Sequence, residues 1–459
     1  MIQFWKDKRV TVVGLGRFGG GVGVTRWLAR AGARVLVTDQ APAEKLTASL
    51  EQLNDLDVTM RLGGHDERDV READVVVVNP AVPETSPVME AARSAGVPVT
   101  TEINLFVERC PARCVGVTGS VGKSTTTAMI GHVLGRVLTG RRVWVGGNIG
   151  RSLLEDLEVI GAGDVVVLEL SSFQLQRTPI VRWSPHVAVV TNITPNHLDW
   201  HGSYDAYRAA KLSILRFQNR DRDIAVIQDD AALREAVGEV AGTEAGVWRY
   251  GLEGDVPVTV RTPGPDGDVR QRWTGLTLAV PGLHNLENAA AAASVAVWFD
   301  APPPEVLAAL RTFEALPHRL QKVVERDGVS YFDDSKSTTP EAALTALRAM
   351  KSPTLMILGG YDKGSDLEPV AREAARRARY SACMGTTGTG LAASIRAAGG
   401  EAEFFGDLGA AVAACQRLAR AGDAVLLSPA CASWDQFPDY RERGHVFARL
   451  ARGDSGDRA

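Results

Sequence analysis

The sequence predicts an α/β protein of three domains. These are a Rossmann-like N-terminal domain over residues 1–108, a central parallel-sheet domain of the P-loop type over 109–314, and a Rossmann-like C-terminal α/β domain over 315–459. Three observations carry this. Apolar strand patterns alternate with amphipathic helix patterns along most of the chain. Two strands run into glycine-rich turns that open a helix, at 14–19 and at 119–124. The 459 residues are also too many for one core, and at about 150 residues per domain they make about three.

The first third begins with RVTVVGLG, a strand that enters a glycine turn. TRWLARAG follows as an amphipathic helix closed by a glycine, and RVLVTD is the next strand. MRLGG, the buried-type strand ADVVVVNP, the helix PVMEAARSAG and the strand VPVTT complete it. The middle third repeats the theme from Arg113: RCVGVTGS is a strand into a loop, and KSTTTAMIGHVLGRVL is a helix. RRVWVGG, DVVVLEL, HVAVVTNI and DIAVIQD are further strands. Residues 251–280 change character. VPVTV and LTLAV, around PGPDGDVRQ, predict an antiparallel hairpin with a polar tip. NLENAAAAASVAVWF and the proline-started APPPEVLAALRTFEAL are helices. The last third follows LPHRL at 316–320. It runs VSYFDDS, helix PEAALTALRAM, strand TLMILGG, helix LEPVAREAARRARY, then YSACMG, GLAASIRAAGG, AEFFG, a helix at 408–421 and the strand DAVLLSP. The arginines at 372–379 share their helix with acids and predict a solvated face. The final RGDSGDRA predicts a frayed end. Repeated strand–helix units imply parallel strands with right-handed crossovers.

Fifty-one basic and 55 acidic residues give a formal net charge of -4. That balance argues against a broadly basic nucleic-acid binder and against a long acidic tail. Apolar runs are short, as in VVVV at 75–78, far below the ~18–20 residues of a membrane span. No membrane insertion is expected. The chain enters a strand pattern almost at once, without a secretory signal. Five cysteines, Cys110, Cys114, Cys383, Cys415 and Cys431, are scattered and odd in number. A disulfide framework is not expected, and a reducing cytoplasmic setting fits. Cys110 and Cys114 lie close, but no second Cys or His pair follows at zinc spacing.

Gly14, Gly16 and Gly19 form G-x-G-x-x-G between a strand and a helix, and Asp39 ends the next strand. Such glycines let backbone and a helix N-terminus approach an anion, and the acid can accept hydrogen bonds from a polar ligand group. Taken alone this is a dinucleotide-type signal, with tight strand–helix packing as the plain alternative. Gly20, Gly21 and Gly23 make the turn more permissive than packing requires.

VGVTGSVGKSTTT at 115–127 is the strongest local signal. A triphosphate needs convergent backbone N–H donors, one lysine charge, and a hydroxyl that can ligate Mg²⁺. Gly119 and Gly122 serve the first need, Lys123 the second and Ser124 the third. Val117 stands where the strict pattern has glycine. ATP is the ligand this predicts, and hydride transfer recedes. Downstream, Glu169 ends a buried strand at the sheet edge that also carries the phosphate loop, where a carboxylate is a good Mg²⁺ ligand. TNITPNHLDWHG follows another apolar strand and offers Asn192, His197 and Asp199 on the same edge. Lys211 lies on a following helix. From charge alone it binds phosphate or lies exposed.

These pieces, in this order, resemble the Mur ligase family of ATP-dependent amide-forming enzymes. The shared strings are TGSVGKSTTT, GGNIG at 146–150, LELSSFQL, TNITPNHLDWHG, YRAAK, HNLENAAAA at 284–292, LPHRL, and GGYDKGSDL at 359–367. FDDSKSTTP at 332–340 and LSPACASWDQF at 427–437 are similar to segments of the branch that joins D-glutamate to UDP-N-acetylmuramoyl-L-alanine. The sister ligases carry His-containing segments at the first position. Departures from the family pattern are Val121, Thr339, Tyr440, Asn79 and Ala81.

The resemblance implies roles position by position. Gly119, Gly122, Lys123, Ser124 and Thr125 would hold the ATP phosphates, with Asn288, Arg319, Asp334 and Lys336 also meeting the nucleotide. Two Mg²⁺ ions are implied, held by Ser124, Glu169, His197 and Lys211, with Lys211 carrying a carbamate. An ammonium cannot ligate Mg²⁺, whereas a carbamate offers oxygens like a carboxylate. Lys123, Glu169, His197 and Lys211 would form the catalytic set. Gly14, Gly16, Gly19 and Asp39 would hold uridine diphosphate rather than NAD, and Asn148 the muramyl region. Lys363, Ser433, Thr338 and Tyr440 would meet D-glutamate. The implied setting is peptidoglycan precursor synthesis by a cytoplasmic, monomeric ligase without nucleic-acid partners.

Overall fold

The computed structural model describes residues 2–16, 19–219, 221–241, 246–253, 256–262, 269–361 and 363–454. They form two compact units: Met1–Leu276 with Glu287–Leu310, and Thr277–Leu286 with Arg311–Ala459. The first unit carries two sheets and the second unit one.

The first sheet is five-stranded and parallel, in the order Thr59–Leu62, Arg34–Asp39, Arg9–Val13, Val75–Val78, Val99–Thr100. Its chain order reverses beside Arg9–Val13, so the turn after that strand opens at the switch point where such sheets take ligands. The helix Gly20–Arg30 starts from Gly19 in the left-handed region and buries Val22, Val24 and Leu28. Two of the supposedly surplus glycines, Gly21 and Gly23, have a packing reason, which corrects the sequence reading, whereas a Cβ on Gly20 would meet nothing within 4 Å. A Cβ on Gly21 would stand 2.1 Å from the Leu15 carbonyl oxygen, and one on Gly23 would stand 2.6 Å from the Ser152 Cβ. The helix therefore lies against its own strand and against the second sheet's layer, closer than any side chain allows.

The second sheet has eight strands, ordered Val269–Trp273, Val256–Thr262, Val247–Glu253, Ile224–Gln228, Val187–Val190, Arg113–Thr118, Val165–Glu169, Val143–Gly147. From Val247–Glu253 onward in that order the pairings are parallel. Val165–Glu169 and Val187–Val190 are buried at every residue, as strands covered on both faces must be. The two outer strands pair antiparallel, with Val258 opposite Trp273 and Val260 opposite Gln271. The predicted hairpin therefore exists, but its second strand is Val269–Trp273 and not LTLAV at 276–280. Trp273 supplies the buried anchor that fixes this register. The polar tip at 263–268 lies outside the described residues, as do residues 455–459 of the predicted frayed end.

Within the first unit the two sheets are tied by polar groups. Asn104 Nδ2 donates to the Arg177 carbonyl at 3.0 Å, and the Arg177 guanidinium donates to the Val82 carbonyl at 2.7 Å and pairs with Glu84 at 2.9 Å.

The second unit's sheet runs Gln321–Arg326, Val329–Asp333, Ala424–Leu427, Thr354–Gly359, Ala378–Met384, Ala402–Phe405, antiparallel only at its first pair. The helix predicted over 367–380 ends at Arg377, and Arg379 and Tyr380 belong to the next strand. The arginine face is exposed as expected, and its arginines also form ion pairs. Arg348, Arg376 and Arg377 all converge on Glu373, and Arg379 pairs with Asp423 at 2.6 Å. The last helix, Tyr440–Arg452, is capped by Asp439 and buries Phe447 and Ala451.

Gly21→Ala is expected to destabilise the first unit by about 1–3 kcal/mol, the usual cost of overpacking. Urea unfolding followed by circular dichroism measures it. An unchanged first transition would contradict the close-approach account.

Candidate active site

The first glycine turn is built as its pattern predicts. Gly14, Gly16 and Gly19 have φ of 88°, 65° and 87°, values that only glycine adopts freely. Gly14 and Gly16 border a cavity of about 660 Å³ that Asp39, His65, Asn79 and Ser86 also line. Asp39 is already engaged: its carboxylate accepts from the Gly16 N–H at 3.1 Å and the Ala41 N–H at 2.8 Å. Its first task is therefore to hold the shape of the turn. A carboxylate has about four acceptor sites, so this leaves capacity for a ligand hydroxyl.

The phosphate loop is held from below by the segment after the next strand. Ser120 Oγ donates to the Thr194 carbonyl at 2.8 Å and lies 2.9 Å from the Tyr207 hydroxyl. Thr191 Oγ1 donates to the Val121 carbonyl at 2.7 Å, and the Val121 N–H donates to Asn192 Oδ1 at 2.9 Å. The Val121 side chain is 55% exposed and enters none of these bonds, so a valine is tolerated at this departure from the family pattern. Gly119 has φ 151°, and a Cβ there would stand 1.9 Å from Thr191 Oγ1. A Cβ on Gly122 would stand 2.8 Å from Asn288 Oδ1, which also accepts from Thr126 Oγ1 at 3.0 Å. Asn288 is thus brought to the loop from a distant helix, as predicted. Lys123, buried Ser124 and Thr125 form the first turn of the helix Lys123–Val137.

Lys123 Nζ donates to the Gly119 carbonyl at 2.8 Å and the Ser120 carbonyl at 3.1 Å. Lys211 reaches the same Gly119 carbonyl at 2.7 Å, and its side chain lies over the Tyr207 ring. Lys211 is only 1% exposed. Burial, reinforced by the Lys123 charge and opposed by Glu169, pushes its amine down to about 6. Of the two options open from charge alone, neither an exposed lysine nor a simple cation describes it.

Glu169 is buried at the end of Val165–Glu169. Its Oε1 accepts from Asn148 Nδ2 at 2.8 Å, while its Oε2 is buried without a hydrogen-bond partner. A buried carboxylate oxygen left unsatisfied costs free energy unless a ligand satisfies it. A hard cation fits that need. Among the described residues no group of three or more His, Cys, Asp or Glu side chains converges as a metal cage. The donor set therefore suits Mg²⁺, which binds through one or two carboxylates together with phosphate oxygens. His197 lies nearby in the left-handed region at φ 52°, its ring on the edge of Phe173. Burial and the Lys123 charge hold its imidazole below the usual value, which keeps a ring nitrogen lone pair available.

Asn148 links this centre to the first turn. A second cavity of about 350 Å³ in the same unit is lined by Gly14, Asn79, Glu102, Asn148, Phe173 and Gln174. It leads from the first glycine turn to the side chain that holds Glu169.

The remaining predicted site residues belong to the second unit. Asp334 is buried and accepts from the Leu320 N–H at 3.1 Å and Ser428 Oγ at 2.7 Å. Burial pushes its carboxyl up to about 6. Arg319 lies close enough to pull it partly back. The Lys336 N–H donates to the His318 carbonyl at 3.2 Å, and its ammonium lies 5.5 Å from the Tyr440 ring centre. The Thr338 N–H donates to the Lys336 carbonyl. Lys363 lies 4.9 Å over the exposed Trp434, next to buried Ser433.

Sequence reasoning missed what joins these pieces. Arg443, 1% exposed, donates to Ser335 Oγ and its carbonyl and to the carbonyls of Cys431 and Ala432. It thereby clamps the Asp334–Lys336 segment to the Cys431–Ser433 segment. Burial lowers its guanidinium to about 10. YRERGHVF reads as a charged surface helix, so no local signal marks Arg443. His318 Nδ1 pairs with buried Asp333 at 2.7 Å, and a Cβ on Gly444 would strike that pair.

Comparison with known proteins agrees with this construction. The model of a Mur ligase MurD-like N-terminal domain matches residues 8–101. The Mur ligase middle-domain model matches 117–296, and the Mur ligase glutamate-ligase-domain model matches 318–431. The chain is similar to the UDP-N-acetylmuramoylalanine–D-glutamate ligase of Pelotomaculum thermopropionicum, 38% identical over 98% of both chains. It is 39% identical to the like-named protein of Anaeromyxobacter dehalogenans over 97% of this chain and 98% of that one. Among solved structures it resembles in fold the UDP-N-acetylmuramate–alanine ligase of Thermotoga maritima, with TM-score 0.62, 20% identity, and coverage of 98% of this chain and 100% of that one. It also resembles the MurF ligase of Thermotoga maritima in complex with ADP, with TM-score 0.54, 17% identity, and coverage of 99% and 97%.

Two outcomes are expected. Gly119→Ala weakens binding of a non-hydrolysable ATP analogue at least about tenfold, or about 1.4 kcal/mol, by calorimetry. Undiminished binding would contradict the loop geometry. Asp334 has a folded-state value raised above its unfolded one, so its contribution is full below the unfolded value and is lost as pH rises to about 6. The stability of wild type relative to Asp334→Asn should fall by about 2 kcal/mol between pH 4 and 7. A flat difference in urea unfolding across that range would contradict it.

Proposed function

The chain belongs to the Mur ligase family of ATP-dependent amide ligases, and we propose that it joins D-glutamate to UDP-N-acetylmuramoyl-L-alanine, releasing ADP and phosphate. The observation that carries this reading is the convergence of Lys123, Lys211 and the unsatisfied Glu169 oxygen on the phosphate loop. The relatives named for this reaction support the choice of substrates, as do the D-S-K and A-C-A-S segments that Arg443 holds together.

A carboxylate resists amine attack because its carbonyl carries charge and its leaving group would be oxide. Phosphorylation removes both obstacles. The L-alanyl carboxylate attacks the γ-phosphorus of ATP, giving an acyl phosphate and ADP. The neutral amine of D-glutamate then adds to the acyl carbon, and phosphate departs. Such transfer depends on positioning and charge neutralisation more than on covalent help.

Each part of the chain has a task in this. The loop N–H groups and Lys123 hold the β- and γ-phosphates. Ser124, Glu169, His197 and a carbamate on Lys211 would hold Mg²⁺, which when bound neutralises phosphate charge and polarises the transferring group. A buried lysine with its amine largely neutral is the form that adds CO₂, and the product would turn an inert neighbour of the loop into an oxygen ligand. Gly14, Gly16, Gly19 and Asp39 take the uridine diphosphate end, with Asn148 between it and the loop. Lys363, Ser433, Thr338 and Tyr440 take D-glutamate, and Asn288, Arg319, Asp334 and Lys336 the nucleotide. The domain limits proposed are 1–108, 109–314 and 315–459. No helix among the described residues is long and apolar enough to cross a membrane. A cytoplasmic monomer, placed where ATP and UDP-linked precursors occur, completes the reading.

The test is phosphate release with ATP, UDP-N-acetylmuramoyl-L-alanine and either enantiomer of glutamate. Release only with D-glutamate supports the proposal; equal release with L-glutamate overturns it. Lys211→Ala should lose most ligation, on the order of 100-fold or more, and added acetate should restore part of it. Full activity without additive would sink the carbamate. Lys123→Ala should lose ATP-dependent phosphate release yet keep UDP-substrate binding. Loss of both would show that the two glycine turns do not divide the work as proposed.

A further inference from the structure

Cys110 and Cys114 have no part in the chemistry above, yet the fold brings their sulfurs within 3.8 Å. Cys110 lies in the connection between the helix Glu102–Val107 and the strand Arg113–Thr118, and Cys114 is the second residue of that strand, which runs directly into the phosphate loop. Both belong to the first unit. The connection is anchored at each end. The Cys110 N–H donates to the Phe106 carbonyl at 2.9 Å, and the Cys114 N–H donates to His186 Nδ1 at 3.1 Å.

The two thiols are not equivalent. Cys110 is partly exposed, whereas Cys114 is buried on the strand opposite Val166. The Cys114 thiol donates to the Cys110 sulfur. That bond lowers the Cys110 thiol below its ordinary value, while Cys114 is raised by the same bond and by burial. An accessible sulfur with thiolate character beside a shielded one is the arrangement of an attacking and a resolving cysteine. A disulfide needs a sulfur–sulfur distance of about 2.0 Å, so closure asks for an approach of about 2 Å. The other three cysteines lie in the second unit and are buried. Burial pushes Cys383 and Cys415 up to about 12.

We propose that Cys110 and Cys114 form a thiol–disulfide exchange site whose co-substrate is a low-molecular-weight disulfide. The Cys110 thiolate attacks one sulfur of the small disulfide, whose S–S bond breaks. One small thiolate leaves and takes up a proton. Cys114 then gives its proton to solvent and attacks the Cys110 sulfur, expelling the second small thiol. The protein pair is oxidised by two electrons, and the small disulfide is reduced to two thiols. The product closes the connection on itself at the root of the phosphate-loop strand.

The experiment uses the whole chain with oxidised glutathione, followed by intact mass and a non-reducing tryptic digest. Trypsin cuts after Arg109 and Arg113, so a Cys110–Cys114 disulfide joins the peptides 110–113 and 114–123. The expected result is loss of two hydrogens, that joined pair, and its disappearance with dithiothreitol. Cys114→Ser should stop at a stable mixed glutathione disulfide on Cys110, and Cys110→Ser should leave Cys114 unreacted. A wild-type chain that takes no glutathione oxidation at this pair, or that keeps a mixed disulfide without closing, overturns the proposal. So does preferential reaction of Cys383, Cys415 or Cys431. Because the readout is covalent and independent of ligation, it stands or falls apart from the proposed enzyme activity.

Discussion

Two lysine side chains end on one backbone oxygen. Lys123 and Lys211 both donate to the Gly119 carbonyl, at 2.8 and 2.7 Å. Two ammonium charges so close repel by about 3 kcal/mol even at an effective dielectric of about 20. Lys211 is also buried, which penalises its charge further. Burial and the Lys123 charge together push the Lys211 amine down to about 6, which favours its neutral form at neutral pH. Much of the surrounding structure serves this constraint. Tyr207 covers Lys211 and reaches Ser120, Glu169 supplies the nearby negative charge, and Asn148 fixes Glu169 by one oxygen while the other is buried without a hydrogen bond.

The same economy of charge explains a formal net charge of only -4 in a chain built for anionic substrates. On the proposed assignment anions are met locally, by loop N–H groups, helix starts and a few lysines, so a broadly basic surface is unnecessary. In the second unit one buried guanidinium does comparable work. Arg443 has no carboxylate hydrogen-bonded to it among the described residues and is instead surrounded by carbonyls and a hydroxyl. Buried without direct ionic compensation, it keeps two loops in one arrangement and adds positive potential beside Lys363, which burial and Arg443 together lower.

What the sequence made legible was what local rules encode. Gly119, Gly122, Lys123 and Ser124 fall within six residues, on one loop and the helix it opens, and the positive φ of both glycines follows from the turn itself. The parallel sheets follow from apolar runs such as VVVLE and VAVV, buried at every position. Alternation was a weaker guide. LTLAV has a strand's pattern but pairs with no strand among the described residues, whereas VRQRW, more polar, pairs because Trp273 anchors it. Long-range features were silent in the sequence. The Arg443 clamp spans 108 positions to Ser335, and Gly21 and Gly23 owe their identity to Leu15 and Ser152, contacts that only the folded chain creates. Asp39, read from the sequence as a ligand contact, lines the first cavity, and its bond to the Gly16 N–H makes it a brace of the turn.

The claim on which the account turns is that the buried amine of Lys211 is neutral and is converted to an oxygen ligand beside the phosphate loop. Carbon-13 NMR of the chain equilibrated with ¹³C-bicarbonate tests it most directly. The account predicts a carbamate carbonyl signal that is present in the wild type and absent from Lys211→Ala. A spectrum without that signal, or one in which it survives the substitution, would contradict it.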